Sequence, residues 1–234
     1  MSHEKERQSL EYWDGRAAEY SRHQMASYDS EKRTRFAELL AESLPEGRGL
    51  NALDLGCGSG FMTMLLADAG CRVTGIDFSQ EMIDRARENL AAKGYEADLF
   101  QMRAQKLAFP DDTFDFIVSR NVTWVLEDVD AVYAEVMRVL KPGGVFLNLD
   151  ANYGSAFNAA DARGEVPTHA TQTLEQLRTR NDIAHDLDIT LVARPQWDID
   201  TFWKLGAREI RCRRLSESPQ SPESAQFALQ VHKG

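Results

Sequence analysis

Short apolar runs alternate along this chain with stretches whose apolar residues recur at helical spacing. That spacing predicts a helix over Glu31–Leu44, a strand over Asn51–Leu55 and a helix over Phe61–Ala69. A strand over Arg72–Asp77 then precedes a helix near Gln80–Lys93, where Met82, Ile83, Ala86 and Leu90 fall at helical intervals. Strands over Asp98–Met102 and Phe114–Ser119 follow, and then a helix over Val129–Leu140 that buries Val129, Val132, Val136 and Leu140. Pro142-Gly143-Gly144 reads as the terminator of that helix and the turn into a strand over Val145–Leu149.

Strands separated by helices imply right-handed crossovers and a mainly parallel sheet. Near the end the pattern changes. Glu209–Arg214 and Gln226–His232 are strand-like with no helix between them, so they should form a hairpin-like antiparallel pair at the sheet edge. The Ser- and Pro-rich segment 216–225 between them reads as a loop. Residues 151–196 fit no sheet pattern, contain an expected helix around Leu174–Leu187, and read as a lid over a site.

At 234 residues the chain suits one domain with a modest lid, spanning 1–234. Its 43% hydrophobic and 27% charged content is that of an ordinary globular protein. The formal net charge of −10 argues against nonspecific binding to nucleic acid or to an anionic membrane. A local basic group at Arg208, Arg211, Arg213 and Arg214 reads first as a solvated strand face. Three cysteines, Cys57, Cys71 and Cys212, lack paired metal spacing and read as reduced thiols. The charged N-terminus and the lack of a long apolar run give the expectation of a soluble, cytoplasmic protein outside the membrane.

The chemistry concentrates at Leu53-Asp54-Leu55-Gly56-Cys57-Gly58-Ser59-Gly60, where the first strand meets the first helix. Glycines there let the backbone turn tightly and approach a ligand. In an open parallel sheet this is the crevice at the carboxyl ends of the strands. A dinucleotide fingerprint would need glycine at position 61, which is Phe61; the third glycine comes one place early, at Gly60. Asp77 ends the second strand, seventeen residues past Gly60. An acid there can accept both hydroxyls of a ribose; it can also cap the next helix, a role open to Ser79.

Taken together, Asp54-x-Gly56-x-Gly58-x-Gly60 and Gly75-x-Asp77-x-Ser79 resemble the first two motifs of class I S-adenosylmethionine methyltransferases. Leu107–Asp115, with its Phe109-Pro110-Asp111-Asp112 core, and Val139-Leu140-Lys141-Pro142-Gly143-Gly144 resemble two more. The likeness covers roughly residues 10–150. It implies an α/β, Rossmann-like, doubly wound and mostly parallel seven-stranded sheet with an antiparallel last strand. It also implies S-adenosyl-L-methionine as the cofactor, a helical N-terminal lid over residues 1–30, and the insertion after the fifth strand.

By the same resemblance Asp54, Gly56, Gly58 and Gly60 form the methionyl loop and Asp77 holds the ribose. Phe78 and Met82 pack on the adenine, and Ala104 and Gln105 lie at its edge. Arg103 departs from the family there, since it stands where relatives carry an acid and cannot accept a bond from the adenine amine. It should therefore be displaced or salt-bridged. Arg120 and Asn121 should touch the methionyl end. Trp124 should face the acceptor, although packing in the core is an equal reading. Tyr20, with Trp13 beside it, resembles the aromatic helix over the donor, where a ring against a sulfonium contributes ~0.5–2 kcal/mol. Trp13, Trp124, Asn152 and Tyr153 are the expected acceptor contacts.

Methyl transfer from a sulfonium is an in-line displacement that relies chiefly on positioning. An amine must arrive unprotonated, a thiol as thiolate, and an unactivated hydroxyl needs a base. The candidates for such a group are His185, His169 and Asp150. No zinc spacing, nucleophile elbow or Walker loop is present, and no metal is expected. The leading expectation is thus an enzyme methylating an O, N or S nucleophile of a small molecule. The alternatives are a noncatalytic donor-binding sensor, a protein or tRNA methyltransferase, and an NAD-dependent oxidoreductase.

Overall fold

A computed structural model describes residues 3–153, 179–180, 182–184, 187–215 and 225–234. Its elements in chain order are α1 (His3–Tyr28), α2 (Glu31–Ser43), β1 (Asn51–Leu55), α3 (Phe61–Asp68), β2 (Arg72–Asp77) and α4 (Gln80–Lys93). Then come β3 (Asp98–Gln101), β4 (Phe114–Arg120), α5 (Val129–Val139), β5 (Leu140–Asp150), α6 (Gln196–Lys204), β6 (Ala207–Arg214) and β7 (Phe227–Lys233).

The seven strands form one sheet in the order β3-β2-β1-β4-β5-β7-β6. All neighbours are parallel except β7, which runs antiparallel to both β5 and β6. The order reverses between β1 and β4, and Leu55 at the end of β1 pairs with Ile76 of β2 and Ser119 of β4. The carboxyl ends of three strands therefore open onto one crevice, the place where this architecture binds ligands.

Strand side chains alternate between two cores. Leu53, Leu55, Ile117, Phe146 and Leu229 face one side and pack on α5 and α6 through Val132, Val136 and Phe202. Ala52, Phe116, Val118, Leu147 and Ala228 face the other and pack on α2, α3 and α4 through Leu40, Met64, Ile83 and Leu90. Two-sided burial is why these strands read as near-continuous apolar runs. Each such Leu, Ile or Phe contributes ~1.5–3 kcal/mol on removal from water.

The largest departures from the sequence reading are at the start of β5 and at α6. Leu140 already pairs with Phe114, so Pro142-Gly143-Gly144 forms an irregular entry within β5 instead of a turn ahead of it. Gly143 takes a positive φ of 76°, and the register slips between Phe114 and Phe116 to absorb the extra residues. Helix α6 has no counterpart in the sequence reading. The helix expected over Leu174–Leu187 falls largely outside the described residues, although residues 179–180 and 182–184 are helical.

The N-terminal segment is a single 26-residue helix, α1. It is tied to α4 by Ser79 Oγ donating to Asp14 Oδ1 at 2.5 Å, by Asn89 Nδ2 donating to Ser21 Oγ at 2.9 Å, and by a 2.7 Å ion pair between Lys93 and Asp29. These ties hold α1 across the open end of the sheet.

Candidate active site

The crevice contains a cavity whose walls come from α1, the β1–α3 loop, the end of β2, the start of α4 and the segments after β3 and β4. Trp13, Tyr20, Gly56, Gly58, Asp77, Phe78, Met82, Ala104, Gln105, Arg120 and Asn121 all line it.

The glycine loop is built for close approach. Gly56 has φ 72°, and a Cβ there would lie 2.5 Å from a methyl of Val122, itself a wall residue. Only glycine satisfies both the left-handed backbone and that clearance. Gly60 serves a different purpose. Its φ is 93° and a Cβ would meet Leu90 Cδ1 at 2.7 Å, so this glycine lets α3 pack against α4 and does not line the cavity.

Asp77 joins the loop to the end of β2. Its Oδ2 accepts from Gly58 N–H at 2.9 Å and its Oδ1 from Ser79 N–H at 3.0 Å. The α4 cap itself is Ser79, whose Oγ accepts from Met82 N–H at 3.1 Å. Burial pushes the Asp77 carboxyl up to about 6, against the pull of its backbone donors. Asp54, buried at the end of β1, accepts from Thr63 Oγ1 at 2.6 Å and is likewise raised by burial to about 6. It lines a smaller adjoining cavity shared with Tyr20, Gln24, Gly56 and Arg120.

Arg120, the last residue of β4, donates to Gln24 Oε1 at 2.5 Å and lies over the rings of Phe61 (4.6 Å) and Phe36 (5.1 Å). Arg103 pairs with Glu6 of α1, so the family's missing acid is replaced here by a cation turned to the N-terminal helix. Gln105 donates from Nε2 to Glu127 O at 2.9 Å, which fixes the far wall. Trp13 meets Tyr20 edge-on at 6.0 Å, so the two form one aromatic surface.

The expected acceptor contacts fare differently. Trp124 is buried away from the main cavity; its indole N–H donates to Asn121 O at 3.0 Å and its ring meets Tyr153 edge-on at 5.3 Å. Asn152 donates to Val192 O at 3.0 Å and lines neither cavity. Tyr153 donates to Asn121 Oδ1 at 3.2 Å and accepts from Gln226 at 2.9 Å, which makes it a support for Asn121. Asp150 is corrected as a base candidate. Its Oδ2 accepts from Thr123 Oγ1 at 2.5 Å and Trp124 N–H at 3.0 Å, its Oδ1 from Ala151 N–H at 2.9 Å, and Arg194 stands 3.4 Å away. With both oxygens engaged and only 1% of the residue exposed, it is a structural acid. His169 and His185 lie outside the described residues.

Sequence reasoning missed the cluster that holds Asp150. The Arg194 side chain is fully buried between Asp150 and Asp198, donates to Thr123 Oγ1 at 2.7 Å, and adjoins Tyr133, whose hydroxyl donates to Asp198. These residues lie far apart in sequence and carry no spacing signal. It also missed the wall residues Met102, Val122, Val125 and Leu126.

Comparison with known proteins agrees with this architecture. Residues 53–148 match the methyltransferase domain family. Phosphatidylethanolamine N-methyltransferase of Cereibacter sphaeroides is 41% identical over 99 residues, which is 42% of this chain and 48% of that protein. Malonyl-[acyl-carrier protein] O-methyltransferase of Serratia marcescens is 35% identical over 136 residues, 56% of this chain and 51% of that one. The chain thus spans about half the length of the curated relatives it matches. Phosphoethanolamine N-methyltransferase 2 of Haemonchus contortus, solved with S-adenosyl-L-methionine, superposes with a TM-score of 0.62 at 16% identity, over 86% of this chain and 52% of that one. Residues 53–148 are thus similar to the methyltransferase domain family, and the seven-stranded sheet shares its fold with solved methyltransferase structures. Among the described residues no helix is long and apolar enough to cross a membrane.

Proposed function

We propose that this protein transfers a methyl group from S-adenosyl-L-methionine to an O, N or S nucleophile of a small molecule. The observation that carries the reading is the set of groups along the crevice and the cavity adjoining it: the apolar Phe78, Met82 and Met102, the carboxylate of Asp77, and then Asp54 with Arg120. That set matches the adenine, ribose and zwitterionic methionyl parts of the donor.

The residues fit the donor at each part. Phe78, Met82, Met102 and Ala104 would enclose the adenine, and Asp77 would accept from the ribose hydroxyls. Gly56 and Gly58 leave room for the methionyl chain. Asp54 is suited to the α-ammonium and Arg120, with Gln24, to the α-carboxylate, because each places the opposite charge in a sheltered position. When bound, the donor supplies a methyl group made electrophilic by a sulfonium.

The chain's own residues then position and exclude. Trp13 and Tyr20 on α1 close the crevice from above, which shuts out water and places a ring face near the cation. Asn121, held by Tyr153, lines the crevice and would stand between donor and acceptor. With Asp150 enclosed in its cluster, the arrangement supports catalysis by orientation. We read residues 1–234 as one domain, with residues 1–30 and 151–196 as its two covers. The relatives' names include N- and O-methyltransferases, which supports the donor and leaves the nucleophile to experiment.

The test is turnover with methyl-labelled donor across a panel of small amines, thiols and hydroxyl compounds. Acceptor-dependent formation of S-adenosylhomocysteine, one per methyl transferred, is expected. Tight donor binding without turnover on any member would favour a sensor.

A further inference from the structure

A carboxylate and a guanidinium meet at the apolar end of the crevice. Glu6 of α1 and Arg103, just past β3, both line the cavity and form an ion pair with each other. Glu6 belongs to the stripe of α1 that faces the crevice. Glu6, Ser9, Trp13 and Tyr20 line the cavity at intervals of three, four and seven residues, the spacing that puts side chains on one helix face. Arg103 is held from the sheet side. Met102 N–H donates to Asp77 O at 2.8 Å and Lys106 N–H to Arg103 O at 3.3 Å. The backbone that carries Arg103 is therefore registered on the residue proposed to hold the ribose.

Neither side chain is part of the core; Glu6 is 32% and Arg103 64% exposed. An ion pair so exposed contributes little to stability. What sets this pair apart is its place on a ligand cavity and its match to one base. An ionised carboxylate only accepts hydrogen bonds, and a guanidinium only donates them. Adenine presents the complement, an exocyclic amine that donates beside a ring nitrogen that accepts. The faces of such a ring fit against Phe78, Met82 and Met102, which line the same cavity.

We infer that Glu6 is the specificity-determining residue for the donor's base: its carboxylate accepts from the adenine amine, while Arg103 orients it and donates to the adjacent ring nitrogen. The acceptor for the base is thus carried by the N-terminal helix, so reading the base and covering the crevice are one event. The inference rests on the donor reading above for the identity of the ligand.

The test is titration calorimetry with S-adenosylhomocysteine and with S-inosylhomocysteine, in which an oxo group replaces the amine. The oxo group accepts where the amine donates, so it meets the Glu6 carboxylate acceptor to acceptor. The unaltered protein should bind the adenine compound at least about tenfold more tightly, the scale of one charge-assisted bond. Glu6→Gln, whose amide can donate as well as accept, should bring the two affinities to within about threefold of each other. Arg103→Ala, which breaks the ion pair and keeps the acceptor, should weaken both ligands and retain the preference for adenine. Glu6 lies at the surface, so the thermal midpoint of Glu6→Gln without ligand should match that of the unaltered protein. A pair that only ties α1 down gives a different pattern, in which both variants weaken both ligands in proportion. An unchanged affinity ratio in Glu6→Gln, or no preference for adenine in the unaltered protein, overturns the assignment. A folded protein that binds neither compound sinks the donor reading itself.

Discussion

The amide of Gly58 donates to Asp77 Oδ2 at 2.9 Å, and this bond links the glycine loop after β1 to the end of β2. A carboxylate that both shapes the loop and faces the cavity sets the loop's position and the ligand's together. The account therefore expects local damage at this junction to remove donor binding before it unfolds the protein.

Gly56→Ala tests the loop's clearance. The new Cβ would sit 2.5 Å from Val122 at a positive φ, so strain and overpacking should cost ~1–3 kcal/mol. Urea unfolding measures that loss, and S-adenosylhomocysteine titration should show at least tenfold weaker binding. Adding Val122→Ala should recover part of the stability, since it removes the clash but not the backbone strain.

Asp54→Asn separates stability from function. The buried carboxyl has its folded value raised to about 6, above an ordinary aspartate. The folded state then binds more protons than the unfolded state between about pH 4 and 6, so ionisation above that window costs stability. The amide should add stability on the order of 2 kcal/mol at pH 8, seen as a higher thermal midpoint, and have little effect at pH 4. Donor affinity should fall in the same variant, as the ammonium partner loses its charge.

Arg194→Met probes the enclosed cluster. Removing the guanidinium leaves Asp150 and Asp198 buried without their cation, a loss of roughly 3–5 kcal/mol in comparable sites. Chemical denaturation at pH 7.5 should show it. The deficit should shrink as pH falls, because protonating Asp150, whose carboxyl burial holds above the ordinary value, removes uncompensated charge.

Donor affinity should also fall with pH. Asp77 must be ionised to accept from two hydroxyls, and its carboxyl is raised to about 6. Binding of S-adenosylhomocysteine should weaken as pH drops from 8 through 6, with a flatter profile in Asp77→Asn.

Much of this was legible in the chain because it is local. β1 and β2 begin and end where their apolar runs do, and α4 spans Gln80–Lys93 as its periodicity predicts, with Ser79 as the cap. Gly56, Gly58 and Asp77 lie within a single β-α-β unit, so their meeting follows from the fold alone. What depends on distant pairing was not legible. Asp150 and Arg194 meet across 44 residues, and nothing near either one signals the other. Trp124 could have faced a ligand or the core; the carbonyl of Asn121 captures its indole N–H, a contact set by the tight turn at Asn121, φ 57°. Helix α6 is short and follows Pro195, so its pattern was too brief to separate from a loop.

Calorimetric titration of the purified protein with S-adenosylhomocysteine and with NADH, repeated on Asp77→Ala, tests the central claim most directly. Micromolar binding of the adenosyl ligand, no binding of NADH, and a loss of at least tenfold in the variant are predicted. Tight NADH binding with no response to S-adenosylhomocysteine would contradict the account and return the glycine loop to a dinucleotide role.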